Sequence, residues 1–302
     1  MDLLSSFDWL LNPVVLTRQF MAGLANGMLL FLVAAGLSLI FGVSRVINFA
    51  HGAVFMLGAY IAFTIVSFAG SSIPAFFAAL VLATCGTFLF GAAFEMLCLR
   101  RIYRSPQAFQ LLITFGMVLV LGDAVRLIWG REENSIAVPE GLDGIVRPFG
   151  VSFPVYRLAL IGVGVVICYG LWYLLYRNRW GMLVRAATVD REMLQALGVD
   201  VRRIYTLVFG LGTGLAGFAG ALAAPIVSIG PGLHAEVLID AFVVVVIGGM
   251  GSLPGALAGA LLVGQANAFG TLIFPSFAIV VPFIVMIVLL IARPWGLLGK
   301  PE

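Results

Sequence analysis

Apolar residues in this chain do not alternate with polar ones. They run in long blocks separated by short clusters of charge, Gly, Pro and Ser. "GLANGMLLFLVAAGLSLIFGV" (23–43) and "AIVVPFIVMIVLLIA" (278–292) approach or reach the roughly 20 residues that span a bilayer as a helix. The pattern predicts eight such spans, near 17–43, 51–69, 74–99, 108–130, 154–176, 204–228, 253–272 and 276–292. The fold class is therefore all-α, a polytopic transmembrane helical bundle forming one domain over 1–302. "LLSSFDWLLNPVV" reads as an interfacial collar over 1–16, with Trp9 at headgroup depth. Two connections are long: 131–153, rich in acid and glycine, and 177–203, rich in arginine.

Composition sharpens this picture. With 62% hydrophobic and 10% charged residues, the chain has too little polar surface to cover a soluble globule. A formal charge of +3 gives no reason to expect nucleic acid as a partner. Cys85, Cys98 and Cys168 lie in apolar segments without CxxC spacing and read as small buried hydrophobes, so neither metal nor cofactor is expected. The first seventeen residues carry two aspartates and no Lys or Arg, unlike a cleavable signal peptide.

Arginine placement predicts the topology. Arg45, then Arg100, Arg101 and Arg104, then Arg177, Arg179, Arg185, Arg191, Arg202 and Arg203 fall in connections on one side, which the positive-inside rule makes cytoplasmic. The N-terminus is then external, as is 131–153. Two paths remain for the C-terminus: external if 240–251 dips in and returns, internal with Arg293 and Lys300 if it crosses. The charge rule prefers the crossing.

Two stretches break the apolar pattern. "VINFAHGAVFMLGAY" (46–60) sets Asn48, His51 and Gly52 within five residues, and "DAFVVVVIGGMG" (240–251) ends in Gly248, Gly249 and Gly251. Irregular backbone at membrane depth survives only where protein or a water-filled cavity satisfies it. Paired interruptions in two halves of a chain point to a transport pathway between two internal repeats. These six residues are the candidate translocation pathway. For the glycines a second reading stands beside it: Gly58, and Gly251, Gly255 and Gly259 at i, i+4 spacing, are equally suited to helix packing.

In "RNRWGMLVRAATVDREMLQALGVDVRRIY" (177–205), Val189, Met193 and Leu197 recur every four residues with Leu194 alongside, and Gly198 follows as a C-cap. This predicts one amphipathic helix of about ten residues on the cytoplasmic face. It suits either lipid headgroups or a protein groove. Charges within spans are few. Asp123 and Arg126 can pair, Glu95 lies just above Arg100 and Arg101, and Asp240 is placed to cap a short helix. No proton-relay series, Ser/His/Asp set or HExxH is present, which argues against an enzyme or a proton-driven carrier.

"GLSLIFGVSRVINFAHGAVFMLGAY", "RAATVDREMLQALGVDVRRIYTLVFGLGTGLAGFAGALAAP" and "AFVVVVIGGMGSLPGALAGALLVG" occur in this order along nearly the whole chain. Together they resemble the branched-chain amino-acid ABC transporter permeases, H-type subunit. The resemblance implies an importer subunit in a bacterial inner membrane, for branched-chain or other hydrophobic amino acids. It also implies partners: an M-type permease (or pseudo-symmetric copy), two cytoplasmic ATP-binding subunits and an extracytoplasmic solute-binding protein. Relatives assigned to urea, short amides and aromatic acids share the family pattern. The resemblance turns 177–203 into an ATPase-coupling loop and carries over Gly181, Arg185, Ala186, Asp190, Ala196 and Gly198, with Met193 and Leu197 on the apolar stripe. No G-x-x-x-x-G-K-[ST] occurs, so ATP hydrolysis is expected on the partner subunits.

Overall fold

The computed structural model describes residues 12–103, 105–273, 277 and 280–299. Most of the N-terminal collar, Arg104, the start of the eighth expected span and Lys300 lie outside them. The chain forms α1 (Pro13–Ser44), α2 (His51–Ala69), α3 (Ile73–Leu97), α4 (Gln107–Trp129) and α5 (Val155–Tyr176). It continues through α6 (Arg179–Val189), α7 (Arg191–Ala196), α8 (Val201–Ala223), α9 (Leu233–Gly248), α10 (Leu253–Ile273) and α11 (Val281–Ala292). A two-stranded ribbon, β1 (Ile145–Val146) with β2 (Phe153–Pro154), closes the long loop before α5.

Among the described residues, seven helices are long and apolar enough to cross a membrane: α1, α2, α3, α4, α5, α8 and α10. The expected eighth, α11, has 12 residues. At 1.5 Å per residue it is about 18 Å long, short of a ~30 Å hydrocarbon core.

α1, α2, α8, α9 and α10 form the centre; α3 lies along α8, α5 against α1, and α4 against α2. Between apolar helices in lipid, close packing replaces the hydrophobic effect as the binding force, and small residues permit it. Gly58 of α2 faces the backbone of Gly217 on α8 so closely that a Cβ on Gly58 would have no room, and a Cβ on Gly217 would meet Thr87 of α3. The glycines at 251, 255 and 259 behave alike: Gly251 abuts Gly42, Gly255 abuts Gly248, and a Cβ on Gly259 would come within 2.6 Å of the Val244 carbonyl.

The connections sort to two ends. Arg45, Ser105, Gln107, Thr188, Asp190 and Arg191 line one cavity, so the arginine-bearing segments converge. At the other end, Asn134 pairs with Ile229, and the Glu140 amide donates to the Ser71 carbonyl (3.0 Å). α9 runs away from that end, since Gly230 lies beside Glu133 while Gly251 shares a cavity with Arg45 and Arg185. The tail follows it: Leu297 and Leu298 donate backbone bonds to Ile247 and Gly248 (2.8 and 3.1 Å). The described end of the tail therefore lies beside the α9–α10 connection, at the end where the arginine-bearing segments converge.

Candidate functional site

The first break begins at a forced turn. Arg45 caps α1 in the left-handed conformation (φ 55°), the one non-glycine residue with positive φ among those described. Such a conformation costs an L-residue roughly 1–2 kcal/mol. Here it sends the chain back along α1. Residues 46–50 then climb, and α2 starts at His51, whose Nε2 donates to the Val33 carbonyl at 2.9 Å. Val33 lies eleven residues above Ser44, so α2 begins about 16 Å up α1, roughly a third of its length.

Asn48 closes the turn. Its Oδ1 accepts from the Ala50 amide (3.1 Å) and its carbonyl accepts from the His51 amide (3.2 Å). Both side chains are fully buried, and Asn48 Nδ2 and His51 Nδ1 have no hydrogen-bond partner. Phe49 turns to α9 and packs on Phe242, ring centroids 5.5 Å apart. Gly52 lies against the His234 carbonyl of α9, with Leu238 Cβ at 2.8 Å from where its own Cβ would stand. The first break therefore abuts the N-terminus of α9. Gly248, Gly249 and Gly251 are elsewhere, in the tight α9–α10 connection at the arginine-rich end, where Gly249 and Gly251 take φ of 98° and 82°. The six pathway candidates thus fall into two separate groups. Asp240 does not cap a helix: α9 starts at Leu233, so Asp240 is in its second turn.

The coupling stretch forms two helices, not one. Asp190 (φ −147°, ψ 99°) ends α6 and caps α7, accepting from the amides of Glu192 and Met193 at 3.0 and 2.9 Å. The apolar period of 189–197 concealed this because a capping aspartate interrupts backbone without interrupting the stripe. Leu194 is buried at 6% exposure, whereas Val189, Met193 and Leu197 are 85%, 59% and 73% exposed. Gly198 (φ 83°) ends the turn, its amide donating to Gln195. Gly181 packs under the backbone of Leu174 and Leu175, and the Arg185 guanidinium lies 5.1 Å from the Tyr176 ring centroid. Ala186 closes α6, its carbonyl accepting from the Asp190 amide (3.1 Å), and Ala196 is the last residue of α7.

Behind α7, Glu95 is completely buried. Its carboxylate accepts from Arg100 (3.0 Å), Thr206 (2.6 Å) and Tyr103 (3.2 Å), and Arg100 also donates to Thr206 at 2.6 Å. Burial, with Glu95 beside it, raises the Tyr103 hydroxyl well above its ordinary range and keeps it a donor. The Glu95–Arg100 pairing is legible in sequence. Thr206, 111 positions from Glu95, carries no such signal. This network joins the end of α3 to the start of α8, the helix that α7 leads into.

Compared with known proteins, the chain matches the family described as branched-chain amino acid transport system / permease component over residues 19–290. It is 34% identical over 300 residues to the high-affinity branched-chain amino acid transport system permease protein BraD of Pseudomonas aeruginosa, covering 94% of this chain and 96% of that protein. It is 29% identical over 301 residues to the permease protein LivH of Escherichia coli K12, at the same coverages. The ribose import permease protein RbsC of the same strain is 28% identical over 52% of this chain and 49% of its own length. No solved structure matches. With the match running from α1 into α11, the chain belongs to the family of branched-chain amino acid transport system permease components.

Proposed function

We propose that this protein is a membrane-spanning subunit of an ATP-driven importer for branched-chain amino acids in a bacterial inner membrane. It works beside a second permease, with two cytoplasmic ATPase subunits and an external binding protein. The observation that carries this reading is the α6–α7 surface. Three large apolar side chains, Val189, Met193 and Leu197, stand exposed among arginines while Leu194 roots α7 in the core. An apolar stripe offered outward beside fixed positive charge is what a helix seated in a partner's groove requires. Gly181, Arg185, Ala186, Asp190, Ala196 and Gly198 shape and cap that surface.

The arginine-rich end is taken as cytoplasmic by the charge rule, which makes the N-terminus and 131–153 external. Asn48, His51 and Gly52 fix the start of α2 beside the pathway. Gly248, Gly249 and Gly251 hold α9, α10 and the tail in register at its inner end. Uptake of radiolabelled leucine by proteoliposomes holding the assembled complex tests the proposal. ATP-dependent, ionophore-insensitive uptake that needs the binding protein is expected. Uptake driven by an ion gradient without ATP refutes it.

A further inference from the structure

At the end of the bundle away from the arginines, a cavity of about 450 Å³ opens between α1, α2, α9 and α10. Sites for small molecules run from roughly 300 to 1,000 Å³. One wall is apolar: Leu29, Leu30 and Val33 follow one face of α1 and meet Phe55 of α2. Opposite them, α9 presents Glu236 and Asp240, one turn apart on the same helix face. Asn26 and Asn267 contribute amides from α1 and α10, and Arg131 stands at the rim just beyond α4.

The partners of these charges are telling. Among the described residues, ion pairs join Arg100 to Glu95, Arg126 to Asp123 and Arg203 to Asp200; Glu236, Asp240 and Arg131 form none and make no hydrogen bond through their side chains. The remaining acid, Glu133, is held by Ser228 at 2.5 Å. Charge placed in a membrane bundle without a protein partner marks a solute path by default. Here the charges are also ordered. Arg131 and Glu133 stand at the mouth, and Glu236, in the first turn of α9, and Asp240, one turn further in, make the α9 wall negative.

An acidic α9 wall facing an aliphatic one, with Arg131 at the rim, complements one class of solute: a zwitterionic α-amino acid with an apolar side chain. We propose that this cavity receives the amino acid after its release from the binding protein, holding the ammonium at Glu236 and Asp240. The carboxylate then faces Arg131, and the side chain lies on Leu29, Leu30, Val33 and Phe55. The proposal rests on the permease reading above and adds to it a place and a polarity. A cavity only wetted by solvent would share the shape but not the selectivity.

The test uses the complete transporter in proteoliposomes, with the permease freed of Cys85, Cys98 and Cys168 and carrying Asn267→Cys. An impermeant maleimide applied from the binding-protein side should modify this cysteine. Millimolar leucine should slow the reaction, whereas 4-methyl-2-oxopentanoate, which lacks the ammonium, should not. Adding Asp240→Asn should remove the protection. In the otherwise native permease, Asp240→Asn should lower leucine uptake at least about tenfold, with Asp240→Glu intermediate. An unreactive Asn267→Cys, equal protection by the keto acid, or protection that survives Asp240→Asn would overturn the site. If Asp240→Asn fails to assemble, the leucine and keto-acid comparison on Asn267→Cys alone decides. Failure of the unmodified complex to take up leucine would instead strike the substrate reading itself.

Discussion

His51 on α2 is hydrogen-bonded to Val33 on α1, with 2.9 Å from Nε2 to the carbonyl oxygen. That bond sets the depth at which α2 begins. A buried imidazole donor replaced by hydrocarbon leaves the turn at Asn48 without its anchor, at a cost of about 1–3 kcal/mol. His51→Leu should therefore lower thermal stability in detergent and reduce uptake. His51→Gln, which keeps a donor, should retain most of both. Equal loss in the two variants would show that the ring does more than anchor.

Gly52 calls for a different expectation from the one its sequence context suggests. A glycine lining an open passage would tolerate leucine without loss of assembly. Against the His234 carbonyl there is no space for even a Cβ. Gly52→Ala should already destabilise the permease by about 1–3 kcal/mol through overpacking, and Gly52→Leu should prevent assembly. Normal yield of Gly52→Leu complexes would place α2 and α9 further apart than described here.

Glu95 can be tested by removing only its charge. Glu95→Gln leaves Arg100 without its counter-ion, but the Arg100 side chain is one-third exposed, so solvent recovers part of the loss. A destabilisation of about 1–3 kcal/mol is expected, read as a lower midpoint of thermal aggregation. Thr206→Val should act in the same direction and less than additively with it, because both touch one network.

On α7, Met193→Asp and Leu197→Asp alter side chains that are already exposed in the single chain, so insertion should be normal. Burying an unpaired carboxylate in a partner's groove costs about 2–5 kcal/mol. The ATPase subunits should be lost on purification, together with ATP-driven uptake. Complexes of native composition and activity would assign this stripe to the lipid surface.

Sidedness follows from labelling. In a cysteine-free permease, Glu140→Cys should react with an impermeant maleimide from outside and Thr188→Cys should not. Glu140 is preferable to its neighbour Gly141, whose φ of 89° a cysteine would strain. The reverse pattern would invert the topology.

Much of the fold was legible because period and punctuation are local. Seven of the eight expected spans appear as helices long enough to cross, with ends a few residues from those read off the chain. What escaped depends on contacts between distant segments. That α2 starts about a third of the way up α1 is decided by His51 meeting Val33, eighteen residues away in sequence. The start of α9 at Leu233 moved Asp240 from a cap into a cavity wall. Asn26 and Asn267 gave no signal, since an isolated amide in an apolar run reads the same whether it faces a helix or a void. The interruption at Asp190 was hidden by the apolar stripe that runs across it.

The interruption at Asp190 also has a mechanical meaning. α6 packs on the ends of α5, α1 and α8, and α7 packs on α6 and on the start of α8 with Leu194 buried beneath it. The extended backbone of Asp190 separates the two helices, and its side chain fixes the joint by accepting from the Glu192 and Met193 amides. A force on α7 therefore reaches α8 by two routes, through residues 197–200 and through α6. α8 in turn packs closely on α1, α2 and α3. Six helical residues at the arginine-rich end are thus tied by two connections to the most buried of the spanning helices.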